Sequence, residues 1–367
     1  MGPRAFCLAV CTAALLLAAP IANAEGFRIG LSLPLSGSAS VVGKQFLTGA
    51  RLAIEILAQH GDIELIVADD GCDGEIATLA IAELQASEPA MVTGLLCNEP
   101  AWLAVSRMAA AGVPVLAAGA RSERLLKDAA KEGWRVWRLS PSDSDATRAA
   151  FRYLAPRWRG LPWAVVDDGT VYGRTQADEF RVLMEEAGNP PQFADNFRPA
   201  QSTQAGLIRR LQKAGVSAAF VSAAAEDTAI IAANVAEFGG KFEVAGGESL
   251  AGLPWLQNAE SVPDGLLAIF SQEFANLDSA KVVRELLKDR SIDAEPAVLL
   301  GYATIEIAIA AFRNTNDETA RALDESVFRT ILGPIDFGPD GSSNLDRFRL
   351  HVWQGGQFRP MENGSAQ

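Results

Sequence analysis

The chain has 367 residues, of which 49% are hydrophobic and 21% charged, and its formal net charge is −13. A chain this apolar can bury a sizeable core, so the composition excludes a disordered or fibrous protein, and the length suits two or three domains. The acidic balance repels phosphate backbones, which argues against nucleic acid as a partner. The two histidines, His60 and His351, are too few for a histidine-rich metal site, and we predict neither a metal nor a cofactor.

The amino terminus is predicted to be a secretory signal peptide spanning residues 1–24. Arg4 precedes the apolar stretch Phe6–Ala19, and the segment ends in Ala22-Asn23-Ala24. We therefore expect cleavage after Ala24 and a periplasmic mature protein. The apolar stretch is shorter than the roughly 20 residues needed to cross a bilayer. A lipid anchor on Cys11 is a weaker alternative, because the bulky Val10 precedes that cysteine.

Cleavage would leave two cysteines in the mature chain, Cys72 and Cys97. An even number of cysteines in an oxidising compartment indicates a disulfide bond. Two separate buried thiols are the alternative. A metal site is less favoured, because no histidine or further cysteine lies nearby to complete four ligands.

A first series of apolar strands alternates with helices. Strands are predicted at Phe27–Leu33, Ile63–Ala68, Met91–Leu96 and Val113–Ala118, and helices at 46–57, Glu75–Gln85 and Ala101–Ala110. Strands without polar alternation, separated by helices, indicate a parallel sheet covered on both faces.

The alternation restarts after a predicted crossover at Leu139–Asp143. Strands follow at Trp163–Val166, Phe193–Phe197, Ala218–Ser222 and Phe242–Ala245, with helices at Gln176–Ala187, around Leu207–Leu211 and at Asp227–Phe238. The chain then continues with helices at Ala280–Lys288 and Pro296–Phe312, and with strands at Gly333–Phe337 and Arg347–Trp353. Two such series predict two α/β lobes of similar build.

In open α/β sheets, ligands bind outside the carboxyl ends of the strands. The loops expected there are Ser36–Ser40, Asp69–Gly74, Cys97–Pro100, Gly119–Ser122, Asp167–Gly173 and Gly246–Gly252. They hold serine, asparagine, arginine, tyrosine, glutamate and many glycines. This inventory suits the recognition of a small polar molecule.

Catalytic signatures are weak. Ser249, Asp346 and His351 occur in a possible triad order, but Gly247–Ala251 lacks the last glycine of a nucleophile elbow and His351 falls in a predicted strand. Neither a P-loop nor a strand followed by a dinucleotide fingerprint occurs. Asp69-Asp70 suits either a divalent cation or a helix cap. An exported hydrolase or lyase is therefore a minor alternative.

Several segments occur in a characteristic order: Ile29–Gly37, Asp69–Asp73, Gly94–Cys97, Gly112–Val115 with Gly119-Ala120, Tyr172-Gly173, Leu207–Val221 and Gly333–Phe337. Together they resemble the type I periplasmic solute-binding proteins of ABC transporters, specifically the leucine/isoleucine/valine-binding group. The resemblance covers essentially the whole mature chain. It implies two Rossmann-like lobes joined by a multi-strand hinge, a ligand cleft between them, and pairing of Cys72 with Cys97.

The same resemblance implies lobe limits and a role. The N-terminal lobe would comprise residues 25–140 and 271–346, and the C-terminal lobe and tail residues 141–270 and 347–367. The protein would be a monomeric receptor rather than an enzyme. It would bind a small molecule by lobe closure and deliver it to ABC-transporter permease subunits in the inner membrane.

Four ligand-binding residues are implied in the N-terminal lobe. Ser36 lies in the first ligand loop, and Asn98 occupies the position at which the family has a serine after the second cysteine. Ala120 would offer a backbone donor. Arg121 replaces a threonine and would either clamp a carboxylate or face solvent.

Two more residues are implied in the C-terminal lobe. Tyr172 matches a tyrosine that borders the ligand, and Glu248 matches the acid that receives the α-ammonium group. Val42 and Ala223–Ala225 replace aromatic positions, so the pocket would be wider or less aromatic than in a leucine binder.

These residues predict a branched-chain or other aliphatic amino acid as the ligand, because Arg121 and Glu248 offer partners to its two charged ends. A short or aromatic organic acid, an amide or a urea-like compound is the alternative ligand. A ligand-sensing regulator built on the same fold is the alternative role.

Overall fold

The computed structural model describes residues 27–58, 63–257, 259–315 and 318–361. The predicted signal peptide and its cleavage site lie outside these ranges. Within them the chain forms two α/β lobes, each built on a largely parallel sheet.

The first sheet contains five parallel strands, β1 (Phe27–Leu33), β2 (Ile63–Asp69), β3 (Met91–Gly94), β4 (Val115–Ala117) and β5 (Val136–Arg138), in the order β2-β1-β3-β4-β5. The connecting helices are α1 (Ser40–Leu57), α2 (Gly74–Ala86), α3 (Asn98–Ala104), which continues into a π-helical turn at Val105–Ala109, and α4 (Glu123–Lys131). The strands are mostly buried, as continuous apolar runs in a parallel sheet require.

The second sheet contains β6 (Trp163–Asp167), β7 (Phe193–Asn196), β8 (Ala218–Ser222), β9 (Glu243–Gly246), β10 (Leu267–Ser271), β13 (Phe348–Gln354) and β14 (Gln357–Pro360), in the order β14-β13-β10-β9-β8-β6-β7. Its helices are α5 (Asp143–Arg157), α6 (Val171–Glu186), α7 (Ala205–Ala214) and α8 (Ala225–Glu237), with a 3₁₀ segment at Glu248–Trp255. Strands β13 and β14 run antiparallel to their neighbours.

The remaining elements are α9 (Lys281–Asp289), α10 (Pro296–Thr315), α11 (Thr319–Glu325) and the hairpin of β11 (Phe328–Thr330) and β12 (Gly333–Ile335). Their apolar residues share one core with the first sheet, whereas β13 and β14 belong to the cores of the second. The chain thus crosses from the core of one lobe to a core of the other at residues 139–146, 270–274 and 345–348. The prediction of an α/β fold with two lobes is confirmed.

Several elements were not predicted from the sequence: α4, β5, α5, β10, α11, β11 and β14. Helix α4 is amphipathic, with Leu125, Leu126 and Ala129 buried, but spans only 9 residues, whereas α5 is rich in alanine and charged residues and has weak apolar periodicity. The predicted crossover at Leu139–Asp143 contains the start of α5, because Ser142 forms a capping box with Asp145. The strand predicted at Met91–Leu96 ends early, since Gly94 and Leu95 adopt positive φ angles of 85° and 51°.

Helix α10 is long and apolar enough to cross a membrane by composition, but 67% of the window Pro296–Arg313 is buried inside the protein. It packs against α1 with backbones in direct contact. A Cβ atom on Gly49 would lie 1.8 Å from the carbonyl oxygen of Val298, and one on Gly301 would lie 2.1 Å from that of Phe46. The two glycines therefore set the distance between these helices.

We expect Gly301→Ala to destabilise the protein by about 1–3 kcal/mol or more, because the new methyl group meets rigid backbone. Chemical denaturation measures this change. Gly206→Ala is the matched control, because Gly206 is exposed in α7 and its nearest side-chain atom would be 3.6 Å away. That control should be neutral or stabilising by up to about 1 kcal/mol. Equal effects of the two substitutions would contradict the close packing of α1 and α10.

Candidate functional site

The loops after β1 and β2 are joined by the carboxylate of Asp69. One oxygen, Oδ1, accepts backbone N–H groups from Leu35 at 2.8 Å, Ser36 at 3.2 Å and Gly71 at 3.0 Å. Burial alone would raise the pKa of Asp69, but hydrogen bonds from the Ser36 hydroxyl and these N–H groups outweigh it and lower the pKa. Asp69 thus braces the loop that carries Ser36.

No metal-binding cluster of His, Cys, Asp or Glu occurs among the described residues.

The neighbouring carboxylate, Asp70, is fully buried and braces the loop that follows β2. It accepts the hydroxyl of Ser32 at 2.7 Å and the backbone N–H of Cys72 at 3.0 Å. Cys72 is bonded to Cys97, with 5.5 Å between their Cα atoms, which confirms the predicted disulfide. The disulfide ties the loop after β2 to the residue immediately before α3.

Asn98, the first residue of α3, holds the loop that follows β4. Its side-chain carbonyl accepts the backbone N–H groups of Arg121 and Ser122, both at 3.0 Å. The N–H group of Ala120, predicted as a ligand donor, donates instead to the carbonyl of Leu95 at 3.0 Å. Asn98 therefore positions Arg121, and the N–H groups of Ala120, Arg121 and Ser122 already have partners within the protein.

Arg121 reaches from the N-terminal lobe to Glu248 in the C-terminal lobe. Its Nη2 lies 2.7 Å from Oε2 of Glu248 and its Nη1 lies 3.3 Å from Oε1, a bidentate pair. Nη2 also donates to the carbonyl of Ser142 at 3.3 Å, and Nε lies 3.2 Å from Oδ1 of Asp143 as an ion pair without hydrogen-bond alignment. The Arg121 and Glu248 side chains are only 34% and 20% exposed. Of the two orientations considered for Arg121, the structure has the one that faces the cleft.

The charges of this group act on one another through partly desolvated surroundings. Burial alone would lower the pKa of Arg121, but its hydrogen bond to Glu248 and the negative charges of Glu248 and Asp143 outweigh it and raise the pKa. The pKa of Tyr172 is raised, first by burial and then by the same two carboxylates. Arg121 is therefore a permanent cation facing two carboxylates.

A small cavity of about 20 Å³ adjoins Glu248. Its lining includes Tyr172 and Gln176 from α6, Thr147 from α5 and Phe220 from β8. This volume holds about one water molecule. Every residue that lines it lies in α5, α6, β8 or the segments that follow β8 and β9, so it is a void beside Glu248 within the second lobe.

Larger cavities lie elsewhere. One of about 800 Å³ runs along β10, β13 and β14 beside the exposed Trp255, and one of about 410 Å³ lies between α4, α5 and residues 340–346. None of the six predicted ligand-binding residues lines either of them. Cavity volume alone would therefore not identify the place where the charged side chains of the two lobes meet.

The residues of the hydrolase alternative have separate partners. The hydroxyl of Ser249 donates to the carbonyl of Ala223 at 2.7 Å, and Asp346 pairs with Arg152 at 2.8 Å. His351 is buried in β13 and stacks on Phe270 with ring centroids 3.8 Å apart. These contacts supply no Ser–His–Asp arrangement among the three.

The structure brings Asn98, Arg121, Tyr172 and Glu248 together, whereas Ser36 contacts Asp69 and Ala120 is buried. Sequence reasoning missed the role of Asp143, which was interpreted only as the last residue of the predicted crossover. That position between the two lobes was an available signal. The hydrogen-bonded pair of Thr147 and Gln176 gave no recognisable signal, because the two residues lie on different helices, α5 and α6, and neither belongs to a motif.

Comparisons with known proteins agree with this architecture. The family model described as periplasmic binding protein matches residues 26–357. A Leu/Ile/Val-binding protein homolog from Brucella melitensis is 24% identical over 339 residues, covering 89% of this chain and 90% of the relative.

Two solved structures illustrate the range of similar folds. An ABC transporter substrate-binding protein from Desulfitobacterium hafniense, in complex with Leu, is 19% identical with a TM-score of 0.70, covering 92% of this chain and 100% of that one. A solute-binding protein from R. palustris, in complex with benzoate, is 16% identical with a TM-score of 0.61, covering 92% and 95%. At these identities the similarity establishes the fold and leaves the ligand of this chain open.

Proposed function

Because this chain belongs to the periplasmic binding protein family, we propose that it is the receptor of an ABC importer and that its ligand is a zwitterionic aliphatic amino acid. The receptor would close its lobes over the ligand and deliver it to permease subunits in the inner membrane. Closure would follow from differential binding, because the ligand contacts both lobes only in the closed state.

The observation that carries the ligand class is the charge of the cleft. One cation, Arg121, faces two carboxylates, Glu248 and Asp143, within 3.3 Å. An amino acid supplies a carboxylate for Arg121 and an ammonium group for Glu248, so every charge keeps a partner. An aromatic or short-chain acid would satisfy Arg121 but add negative charge beside two carboxylates. The charge balance therefore favours an amino acid over a simple anion.

A thermal-shift screen of the purified mature protein tests the proposal. Leucine, isoleucine and valine are compared with benzoate, a short organic acid and an amide. A ligand of micromolar Kd at millimolar concentration stabilises the folded state by about 4 kcal/mol, which is easily detected. Stabilisation by the amino acids supports the proposal. Stabilisation only by compounds that lack an ammonium group would keep a receptor function and overturn the ligand class.

We expect Glu248→Ala to weaken amino-acid binding at least tenfold, because a hydrogen bond to a charged group contributes about 1.5–3 kcal/mol. Isothermal calorimetry measures the affinity. Glu260→Ala is the control, since Glu260 is an exposed glutamate of the same lobe and does not line the cavity beside Glu248. Unchanged affinity in the Glu248 variant would remove this residue from the site.

A further inference from the structure

We propose that Arg121 and Glu248 form an ionic latch that keeps the two lobes together in the ligand-free protein and restricts ligands to molecules carrying both charges. The selection of ligands rests on the function proposed above. The latch itself is a property of the ligand-free chain and is tested without any ligand.

The latch joins two residues that only the fold brings together. They lie 127 positions apart, Arg121 after β4 of the first sheet and Glu248 after β9 of the second. Their two contacts, at 2.7 and 3.3 Å, form the bidentate fork that makes arginine–carboxylate pairs stronger than single hydrogen bonds. Each further opening of the cleft must break this fork.

The Arg121 guanidinium is held in place by groups other than Glu248. The Asn98 carbonyl fixes its backbone, the Ser142 carbonyl accepts from Nη2, and Asp143 lies beside Nε. Such preorganisation lowers the entropy that a flexible side chain loses when it forms an ion pair. It distinguishes this pair from exposed ion pairs, which contribute little.

The latch overlaps the ligand site proposed above. The Arg121 guanidinium lies 2.7 and 3.3 Å from the two Glu248 oxygens, at the place where a ligand's cationic group would bind. The Arg121 side chain therefore competes with the cationic group of a ligand for Glu248. A ligand must displace Arg121 from Glu248 before it can bind there.

This competition determines which ligands are accepted. A monocarboxylate that takes Arg121 leaves Glu248 partly buried without a cation, and a simple amine leaves Arg121 without its bidentate carboxylate. Breaking a desolvated pair by satisfying only one partner is costly, because the other charge stays uncompensated. A dipolar molecule replaces both partners and avoids that cost.

Small-angle X-ray scattering of the ligand-free protein tests the latch. We compare the radius of gyration of the wild type with that of Arg121→Gln, Glu248→Gln and the double variant. Each single variant should shift the closed-to-open ratio at least about tenfold towards open and enlarge the radius. The double variant should be no larger than either single variant, since both remove the same interaction.

Two further samples make this test decisive. Arg124→Gln is the matched control, because Arg124 is 85% exposed and pairs with Asp128 on its own helix. It should keep the wild-type radius. Wild type in about 1 M KCl, where the Debye length falls to about 3 Å, should expand less than the single variants, because partly buried pairs are screened less than exposed ones. The latch would be overturned if the wild type had the same radius of gyration as both single variants.

Ligand selection is tested with leucine, 4-methylpentanoate and 3-methylbutylamine, which share one carbon skeleton and differ in their charged groups. The wild type should prefer leucine by at least about tenfold over each of the others. In Glu248→Gln the preference for leucine over 4-methylpentanoate should fall at least about tenfold, because no carboxylate is then left unpaired. An unchanged preference would overturn the selection by the latch. If the wild type binds none of the three, the proposed function fails while the scattering result still decides the latch.

Discussion

Glu306→Gln is expected to stabilise the folded protein by about 3 kcal/mol at pH 8. Glu306 lies on α10 and is largely buried, and burial raises its pKa from 4.5 to about 7 despite a hydrogen bond from the N–H group of Ile331. That N–H group lies 2.8 Å from Oε2, and a glutamine carbonyl can accept it equally well. The substitution therefore removes the cost of ionising a buried carboxyl and keeps its hydrogen bond.

The pH dependence of this effect has a defined sign. The folded pKa lies above the unfolded pKa, so the folded state binds the proton more tightly. The wild type has its full stability below about pH 4.5 and loses it as the pH rises through about 7. The difference between variant and wild type should therefore grow from near zero at pH 4 to its maximum above pH 7.

Urea denaturation at several pH values measures this difference. The control is Glu83→Gln, which neutralises an exposed carboxylate on α2 and should change the free energy of unfolding by less than about 0.5 kcal/mol at every pH. A constant difference between Glu306→Gln and wild type across the pH range would show that burial of this carboxyl does not control stability.

The second large effect is expected from the disulfide. Replacing Cys72 and Cys97 together by serine should lower the free energy of unfolding by about 3 kcal/mol, because the bond closes a loop of 25 positions in the unfolded chain. The bond also fixes the loop braced by Asp70 to the start of α3. Loss of the bond should thus loosen Asn98, which positions Arg121.

Denaturation with and without a reductant provides the internal control. Reduction should destabilise the wild type to about the level of the double serine variant, and should leave that variant unchanged. A wild type insensitive to complete reduction would mean that native packing, rather than the covalent bond, holds these two loops together.

The sequence predicted most of the parallel strands and the alternation of strands and helices, because burial imposes a local pattern on consecutive residues. Elements in which that pattern is short or weak were missed. Helix α4 buries only Leu125, Leu126 and Ala129, and α5 is recognised mainly by its Ser142 cap. Neither contains an apolar run long enough to stand out from its surroundings.

For the candidate site, the resemblance to a family supplied positions but not their partners. Glu248 and Tyr172 were proposed from matched motifs, and both line the same cavity. Asn98 was proposed as a ligand contact from its place after the second cysteine, and the structure adds that its carbonyl holds the backbone of Arg121 and Ser122. A motif identifies which residue stands at a position, whereas its hydrogen-bond partner depends on the loop that packs opposite.

The amino-acid sequence by itself thus determined the α/β class, the two lobes and the pairing of two cysteines, since composition, periodicity and motif order carry this information along the chain. Only the tertiary structure decided that Arg121 faces Glu248 rather than solvent, across 127 positions of sequence. The physical reason is that an ion pair needs its two groups within a few ångströms of each other. The packing of both lobes and the course of the crossovers set that distance, and no local pattern records it.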